Sequence, residues 1–340
     1  LKALIKNTTE STLSYEEIPE PAIRPGHVKI EVVYTGICGT DYHILHNEYK
    51  HNLPIVPGHE FAGKIVEVGE NVIGFKVGDR VVALTTYYTC GNCEYCISGI
   101  KMLCSKRQSY GTHVNGSFTK FMVLNSKLLF KIPDSVSYEE AALTEPLACC
   151  VRGLVEMSRI NSFDTVLISG PGTIGLLSQQ VAQAEGGSVI VCGTSNDFDR
   201  LAKAKELGAL YTIDLDNGNL ESIKDYTDGL GVDLAIECAG VEGSARNCID
   251  LIKPGGRYHQ MGLYGKPVKL DFDAILRKEI TITTSYASTH SSFRKSLALM
   301  ARKKVRLEPL ISAKLPLSSW REGFEMFSNK TGYKVLLYPE

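Results

Sequence analysis

Along the first third of the chain, apolar and polar residues alternate with a period of two. Val28-Lys29-Ile30-Glu31-Val32-Val33-Tyr34 is the clearest run. Such alternation puts every second side chain on one face of a half-buried strand. Residues 58–68 and 78–84 continue the pattern between glycine-containing turns, so the segment up to about Thr144 reads as β-rich. A helix signal follows at Ser137-Tyr138-Glu139-Glu140-Ala141-Ala142. Ser137 can accept from a backbone N–H three residues on, and Glu140 can reach back to satisfy a second one.

From Thr165 the texture changes. Thr165-Val166-Leu167-Ile168-Ser169 is apolar without alternation, as in a strand buried on both faces. A glycine-rich turn and a helix-like run over 176–184 follow. Next come a strand at 188–192, a helix over about 200–207, and strands at 232–236 and 256–261. Strand–helix alternation at this spacing predicts a parallel, doubly wound sheet. Beyond about Asp273 the pattern reverts to a strand at 280–283, a helix at 293–303 ending in Arg302-Lys303-Lys304, and a last strand at 334–338. The predicted class is therefore α/β. A β-rich domain over 1–145 and 275–340 is split around an inserted doubly wound domain at 146–274.

Composition narrows the chemistry. The 340 residues suffice for two ordinary domains, and 44% hydrophobic with 22% charged residues is the balance of a soluble globular protein. A net charge of -1 gives no reason to expect nucleic acid or an anionic membrane as partner. No run approaches the roughly 18 apolar residues of a membrane span, and the first residues read as a strand rather than a leader. The expected location is the cytoplasm. In that reducing compartment the ten cysteines call for metal binding, burial or catalysis rather than a disulfide framework.

Cys90, Cys93, Cys96 and Cys104 stand in C-x2-C-x2-C-x7-C, within a lobe of about residues 88–106. Turn-tight spacing lets the thiolates converge on one ion, and a full shell of four sulfurs is a structural zinc site with no place for substrate. A bacterial ferredoxin run has a shorter last gap and a following proline, whereas Ser105 follows here. A second set is Cys38, His59 with Glu60, and Glu145. One thiolate, one imidazole and one carboxylate form a three-ligand set whose fourth position stays open, as catalytic zinc requires. Gly170-Pro171-Gly172-Thr173-Ile174-Gly175 follows a strand and opens a helix. Its glycines allow a tight turn and close approach to a pyrophosphate, and the helix N-terminus offers free N–H groups to the phosphates. At the end of the next strand, where an acid would accept the ribose 2′-hydroxyl of NAD, stand Gly193-Thr194-Ser195-Asn196, with Arg200 nearby. Thr194, Ser195 and Arg200 suit a 2′-phosphate and lean the reading to NADP, with Asp197 or Asp199 as the acidic partner in an NAD reading.

With these motifs in view, the chain resembles the zinc-containing medium-chain dehydrogenase/reductase family along essentially its whole length, nearest to its sorbitol (L-iditol) dehydrogenase-like branch. The matching segments are Gly36-Ile37-Cys38-Gly39-Thr40-Asp41, Gly58-His59-Glu60, Gly78-Asp79-Arg80-Val81, the four-cysteine lobe and Glu145-Pro146-Leu147. The resemblance implies a GroES-like catalytic domain split around a Rossmann domain, one catalytic and one structural zinc, and NAD or NADP as cofactor. It implies that Cys38 and His59 bind the catalytic ion, and that Glu145 replaces a cysteine as a direct or water-bridged ligand. Glu60 becomes a neighbouring carboxylate able to swing onto the metal, and Thr40 a proton relay with His43 as its outer member. The implied reaction is hydride transfer between a secondary alcohol or polyol and the nicotinamide, in a homodimer or homotetramer. Tyr42, His46, Tyr49, His51, Tyr286 and Arg294 are candidates for the substrate pocket, and Cys149 and Cys150 read as packing thiols. Oxidation of an amino alcohol such as threonine is the alternative within the class. A non-catalytic zinc-binding regulator and a zinc-free reductase of the same superfamily fit less well, because both metal motifs are complete.

Overall fold

The computed structural model describes residues 1–218, 220 and 222–340. The chain forms two compact units. One comprises residues 1–145, 288–301 and 307–340, the other residues 146–287 and 302–306. No helix among the described residues is long and apolar enough to cross a membrane.

In the first unit, the alternation read at 28–34 becomes strand His27–Gly36, with Val28, Ile30 and Val32 buried and Lys29 and Glu31 half-buried. The buried face packs on Phe61, Ile65, Val81, Met122 and Leu124. Each such side chain contributes about 1.5–3 kcal/mol through the area it removes from water. This strand is the hub of a sheet ordered Ile311–Pro316, Lys334–Tyr338, His27–Gly36, Glu60–Val68, Arg80–Ala83, Leu129–Lys131, with Phe121–Asn125 also paired to the hub. Two antiparallel pairings converge at the end of the hub strand, where Gly36 faces Glu60 on one side and Leu336 on the other. Residues distant in sequence thus meet where that strand runs out. A second core of Ile37, Val56, Phe118, Trp320, Phe324, Val335 and Leu337 fixes the same corner.

The second unit holds a six-stranded, all-parallel sheet. Its order is Tyr211–Asp214, Ser188–Gly193, Thr165–Ser169, Val232–Glu237, Ile252–Gln260, Thr281–Thr284. In chain order this is 3-2-1-4-5-6, the arrangement that opens a crevice at the carboxyl ends of the first and fourth strands.

The return to the first unit comes later than the pattern suggests, at residue 288 instead of about 275. The reason is the strand Thr281–Thr284, which pairs in register with Arg257 to Gln260 and completes the inserted sheet. The helix expected over 293–303 is His290–Ala301, and Lys303 turns into the left-handed region at φ 53°. The basic run therefore lies just past the helix end. Residues 302–306 belong to the inserted unit, where the Arg306 N–H donates to Gln180 Oε1 at 2.6 Å.

Candidate active site

Cys38 is the N-cap of helix Gly39–Leu45, immediately after the hub strand. Asp41, buried in the first turn of that helix, accepts the Cys38 N–H at 3.0 Å through Oδ2 and the Gly58 N–H at 3.0 Å through Oδ1. One carboxylate thereby ties the Cys38 turn to the loop that presents His59. Gly58 adopts φ +92°, and a Cβ there would lie 2.6–2.9 Å from Phe118 and Ser117, so strain and crowding both demand glycine. Glu60 opens the neighbouring strand opposite Gly36, whose missing side chain leaves room for the carboxylate.

The result is a cluster in which the Cys38 thiol, a His59 ring nitrogen and a Glu60 carboxylate oxygen all lie within 4.8 Å of one another. His59 Nδ1 is buried without a hydrogen-bond partner, 3.6 Å from Asp41 Oδ1. Burial alone would lower the His59 pKa, but the adjacent Cys38 and Asp41 charges outweigh it and raise the pKa well above the usual histidine value. Such a pocket, offering one soft and two harder donors, fits a zinc ion. Glu145 is buried in the first turn of helix Thr144–Val151 but lies outside this three-residue cluster. Thr40 sits at the second position of helix Gly39–Leu45, beside Cys38. His43 is half-exposed, and its Nδ1 meets Glu48 Oε2 at 2.7 Å.

Two contributors carry no signal in the local sequence pattern. Asp41 stands inside a quoted motif but without an assigned role. Lys334 comes from the last strand and is nearly fully buried. Its ammonium donates to Glu60 Oε2 at 2.6 Å and to the Ile37 carbonyl at 3.0 Å. Burial would depress the Lys334 pKa, yet Glu60 first and Cys38 next raise it, so the ammonium is retained. Among the pocket candidates, Tyr42 packs on His46 and Phe327 at 4.5 and 5.5 Å between ring centroids, and its hydroxyl meets Ser328 at 3.2 Å. It is a packing residue of the first unit. His51 Nδ1 is paired with the Tyr49 carbonyl at 2.8 Å. Arg294 lies on helix His290–Ala301 of the first unit, and Tyr286 lies in the second, about half-exposed. Cys150 is fully buried and its thiol faces the Ile174 carbonyl at 3.6 Å, while Cys149 is half-buried.

The other cysteines gather as their spacing suggests. The sulfurs of Cys90, Cys93, Cys96 and Cys104 all lie within 4.8 Å of one another. Cys90 is 3.9 Å from Cys96 and 3.6 Å from Cys104. Four sulfurs at about 2.3 Å from a tetrahedral zinc are about 3.8 Å apart, so the Cys90–Cys96 and Cys90–Cys104 spacings are already close to the edges of that tetrahedron. The Asn92 and Cys93 N–H groups stabilise the Cys90 thiolate and bring its pKa down to about 6.

In the second unit, Gly170 (φ +102°) turns the chain so closely against Ala239 that a Cβ would lie 2.8–2.9 Å from it. Gly175 packs against the Gly170 carbonyl with no space for a side chain. Gly172 caps helix Thr173–Ala184 without any side-chain bond to its first N–H groups, and a Cβ there would meet only Arg200, at 3.9 Å. Thr173 and Ile174 form the first turn. The cradle is shaped for a pyrophosphate on a helix N-terminus. At the ribose end, Thr194 donates its hydroxyl to Asp197 (2.9 Å), and Ser195 donates its hydroxyl to Asp214 (2.9 Å).

Residues 24–134 match the alcohol dehydrogenase GroES-like domain and residues 173–302 the zinc-binding dehydrogenase family. A sorbitol dehydrogenase of Halalkalibacterium halodurans is 41% identical over 100% of this chain and 99% of its own length. A D-arabitol-phosphate dehydrogenase of Enterococcus avium is 38% identical, covering 96% of this chain and 93% of its own. A Sinorhizobium meliloti structure with NADP bound is 32% identical, superposes with a TM-score of 0.91 and covers 99% of both chains. The two halves of the fold, the metal cluster and the glycine cradle agree with these likenesses. The chain belongs to the zinc-containing medium-chain dehydrogenase/reductase family, in its sorbitol dehydrogenase-like branch, and is an NAD(P)-dependent oxidoreductase.

Proposed function

We propose that the enzyme oxidises the secondary carbinol of a polyol, a sugar alcohol or a cyclitol, reversibly. The observation that carries this reading is the cluster that brings the Cys38 thiol and a His59 ring nitrogen together, with a Glu60 carboxylate oxygen within 4.8 Å of both. Bound there, zinc would supply Lewis acidity, lowering the pKa of a substrate hydroxyl towards neutrality. The nicotinamide supplies the hydride acceptor. The residues of the chain do the rest. Cys38 and His59 hold the metal, and Asp41 orients His59. Glu145 adds a carboxylate, directly or through water. Lys334 pairs with Glu60 and would hold its carboxylate back from the ion. The Thr40 hydroxyl would accept the substrate proton while giving its own to His43 or to water, and His43, whose Nδ1 meets Glu48, would release a proton to solvent from Nε2. Cys90, Cys93, Cys96 and Cys104 hold a structural ion. Gly170, Gly172, Thr173, Ile174 and Gly175 seat the pyrophosphate.

The chain acts as a homo-oligomer in this reading. Support comes from strand Thr281–Thr284, which lies at the edge of its sheet with Ile282 41% exposed. An edge of this kind is a template for a second copy. The ten free thiols fit a reducing compartment, the cytoplasm. The deciding experiment is a screen of the purified zinc-loaded protein against sugar alcohols, cyclitols, polyol phosphates, simple secondary alcohols and L-threonine, read as nicotinamide reduction. Polyols turn over best if the proposal holds. A clear preference for threonine, or full activity in a Cys38→Ser variant, would overturn it.

A further inference from the structure

The chain end of strand Ser188–Gly193 is where a doubly wound sheet reads the adenosine ribose. Its own residues offer no acid there, but the neighbouring strand does. Strand Tyr211–Asp214 runs parallel to it with Gly193 opposite Asp214, one strand spacing away. Both Asp214 oxygens accept the Ser195 hydroxyl, at 2.9 and 3.1 Å. Asp216 accepts the Ser195 N–H at 2.9 Å. Asn217 clamps the pair by donating to Ser195 Oγ at 2.9 Å and Asp214 Oδ2 at 3.0 Å. Hydrogen bonds from Asn217, the Asp216 N–H and Ser195 hold the Asp214 carboxyl below the usual carboxylate range despite some burial. Asp197, the nearer acid in sequence, is turned away to cap Thr194 through its N–H and hydroxyl, at 3.0 and 2.9 Å.

We infer that Asp214, seconded by Asp216, is the specificity determinant of the ribose site and makes this chain prefer NAD to NADP. The inference rests on its being an NAD(P)-dependent dehydrogenase. A 2′-hydroxyl can share the carboxylates and the Ser195–Asn217 network as a donor. A 2′-phosphate brought to Ser195 would find the hydroxyl already spent on a carboxylate and would face two fixed negative charges. Arg200 does not offset them, because its guanidinium lies over the glycine turn beside Gly172, where the pyrophosphate belongs.

The test is direct binding of NADH and NADPH to the purified enzyme by nucleotide fluorescence, with no substrate present. The wild type is expected to bind NADH about tenfold or more tighter than NADPH, the scale of one or two unfavourable charge contacts. Asp214→Asn should close that gap by about tenfold, by tightening NADPH and weakening NADH, and Asp216→Asn by a smaller factor. Asp216 lies outside the strand, so its variant provides the test if Asp214→Asn does not fold. Equal affinities in the wild type, a preference for NADPH, or a ratio unmoved in folded Asp214→Asn and Asp216→Asn would each overturn the inference. Failure to bind either nucleotide would instead overturn the dehydrogenase reading on which it rests.

Discussion

The Lys334–Glu60 pair offers the sharpest perturbation. Both groups are nearly excluded from water, and the ammonium lies 2.6 Å from the carboxylate. At an effective dielectric constant of about 20 such a pair attracts by roughly 6 kcal/mol, much of which offsets the cost of burying two charges. Removing one partner therefore costs more than the pair contributes, typically about 3–5 kcal/mol, because the other charge is left uncompensated. Lys334→Met removes the ammonium and keeps most of the apolar stem. In protein stripped of its labile ion, urea unfolding should show a loss of about 3–5 kcal/mol in the first unit. In zinc-loaded protein the loss should fall to a fraction of this, since Glu60 can then turn to the metal. The same rotation fills the open coordination position, so the variant should release the labile zinc to a chelator more slowly while turning over more slowly. Glu60→Gln combined with Lys334→Met should recover a good part of the stability. The reasoning is refuted if Lys334→Met costs the same with and without zinc, or releases zinc faster than wild type.

Other expectations rest on single features. Elemental analysis of fresh protein should find two zinc ions per chain, with Cys38→Ser losing the chelator-labile one and Cys104→Ser the resistant one; iron in either place would exclude the assignment. His259 is fully buried between Thr283 Oγ1 (2.8 Å) and Ser285 Oγ (3.2 Å), and burial pushes its pKa down to about 4. The unfolded chain takes up this proton near pH 6.5 and the folded one only near 4, so stability should drop by up to about 3 kcal/mol as pH falls through that window. His259→Gln, compared with wild type by urea titration at several pH values, should flatten that acid limb, and an unchanged slope would show that the ring is not held neutral. Ile282→Lys should lower the oligomer mass in light scattering if the edge strand pairs copies; an unchanged mass would move the interface elsewhere.

What was legible in the sequence was what is contiguous in it. The cysteine lobe, the glycine turn and the Gly36–Asp41 and Gly58–Glu60 segments each carry their geometry within a few residues, because turns and caps are set locally. What escaped was carried by pairing between strands. Lys334 stands 274 positions from Glu60, and only the antiparallel register of the last strand brings them together. Asp214 meets Ser195 across 19 positions through a parallel ladder, while the acids that the sequence suggests, Asp197 and Asp199, lie closer along the chain. The late boundary at residue 288 has the same origin. A short run such as Thr281–Thr284 looks alike in either sheet, and its partner decides which one it joins.

The split of the first unit is a consequence of this geometry. Its donor cluster has Cys38 and Glu60 at the end of the hub strand, and the buried Glu60 carboxylate is matched by a buried cation. That cation arrives on a strand whose Leu336 and Leu337 pair with Gly36 and Thr35, and whose Val335 carbonyl takes the Ile37 N–H at 3.1 Å. The returning strand therefore does two things at once. It completes the sheet and sets the charge beside the ligand cluster. An early stop before Lys334 would leave the Thr35–Gly36 end of the hub strand unpaired on one side and leave Glu60 buried without its counter-ion. Loss of the last strand should for this reason disable the metal site as surely as loss of Cys38, although it removes no ligand.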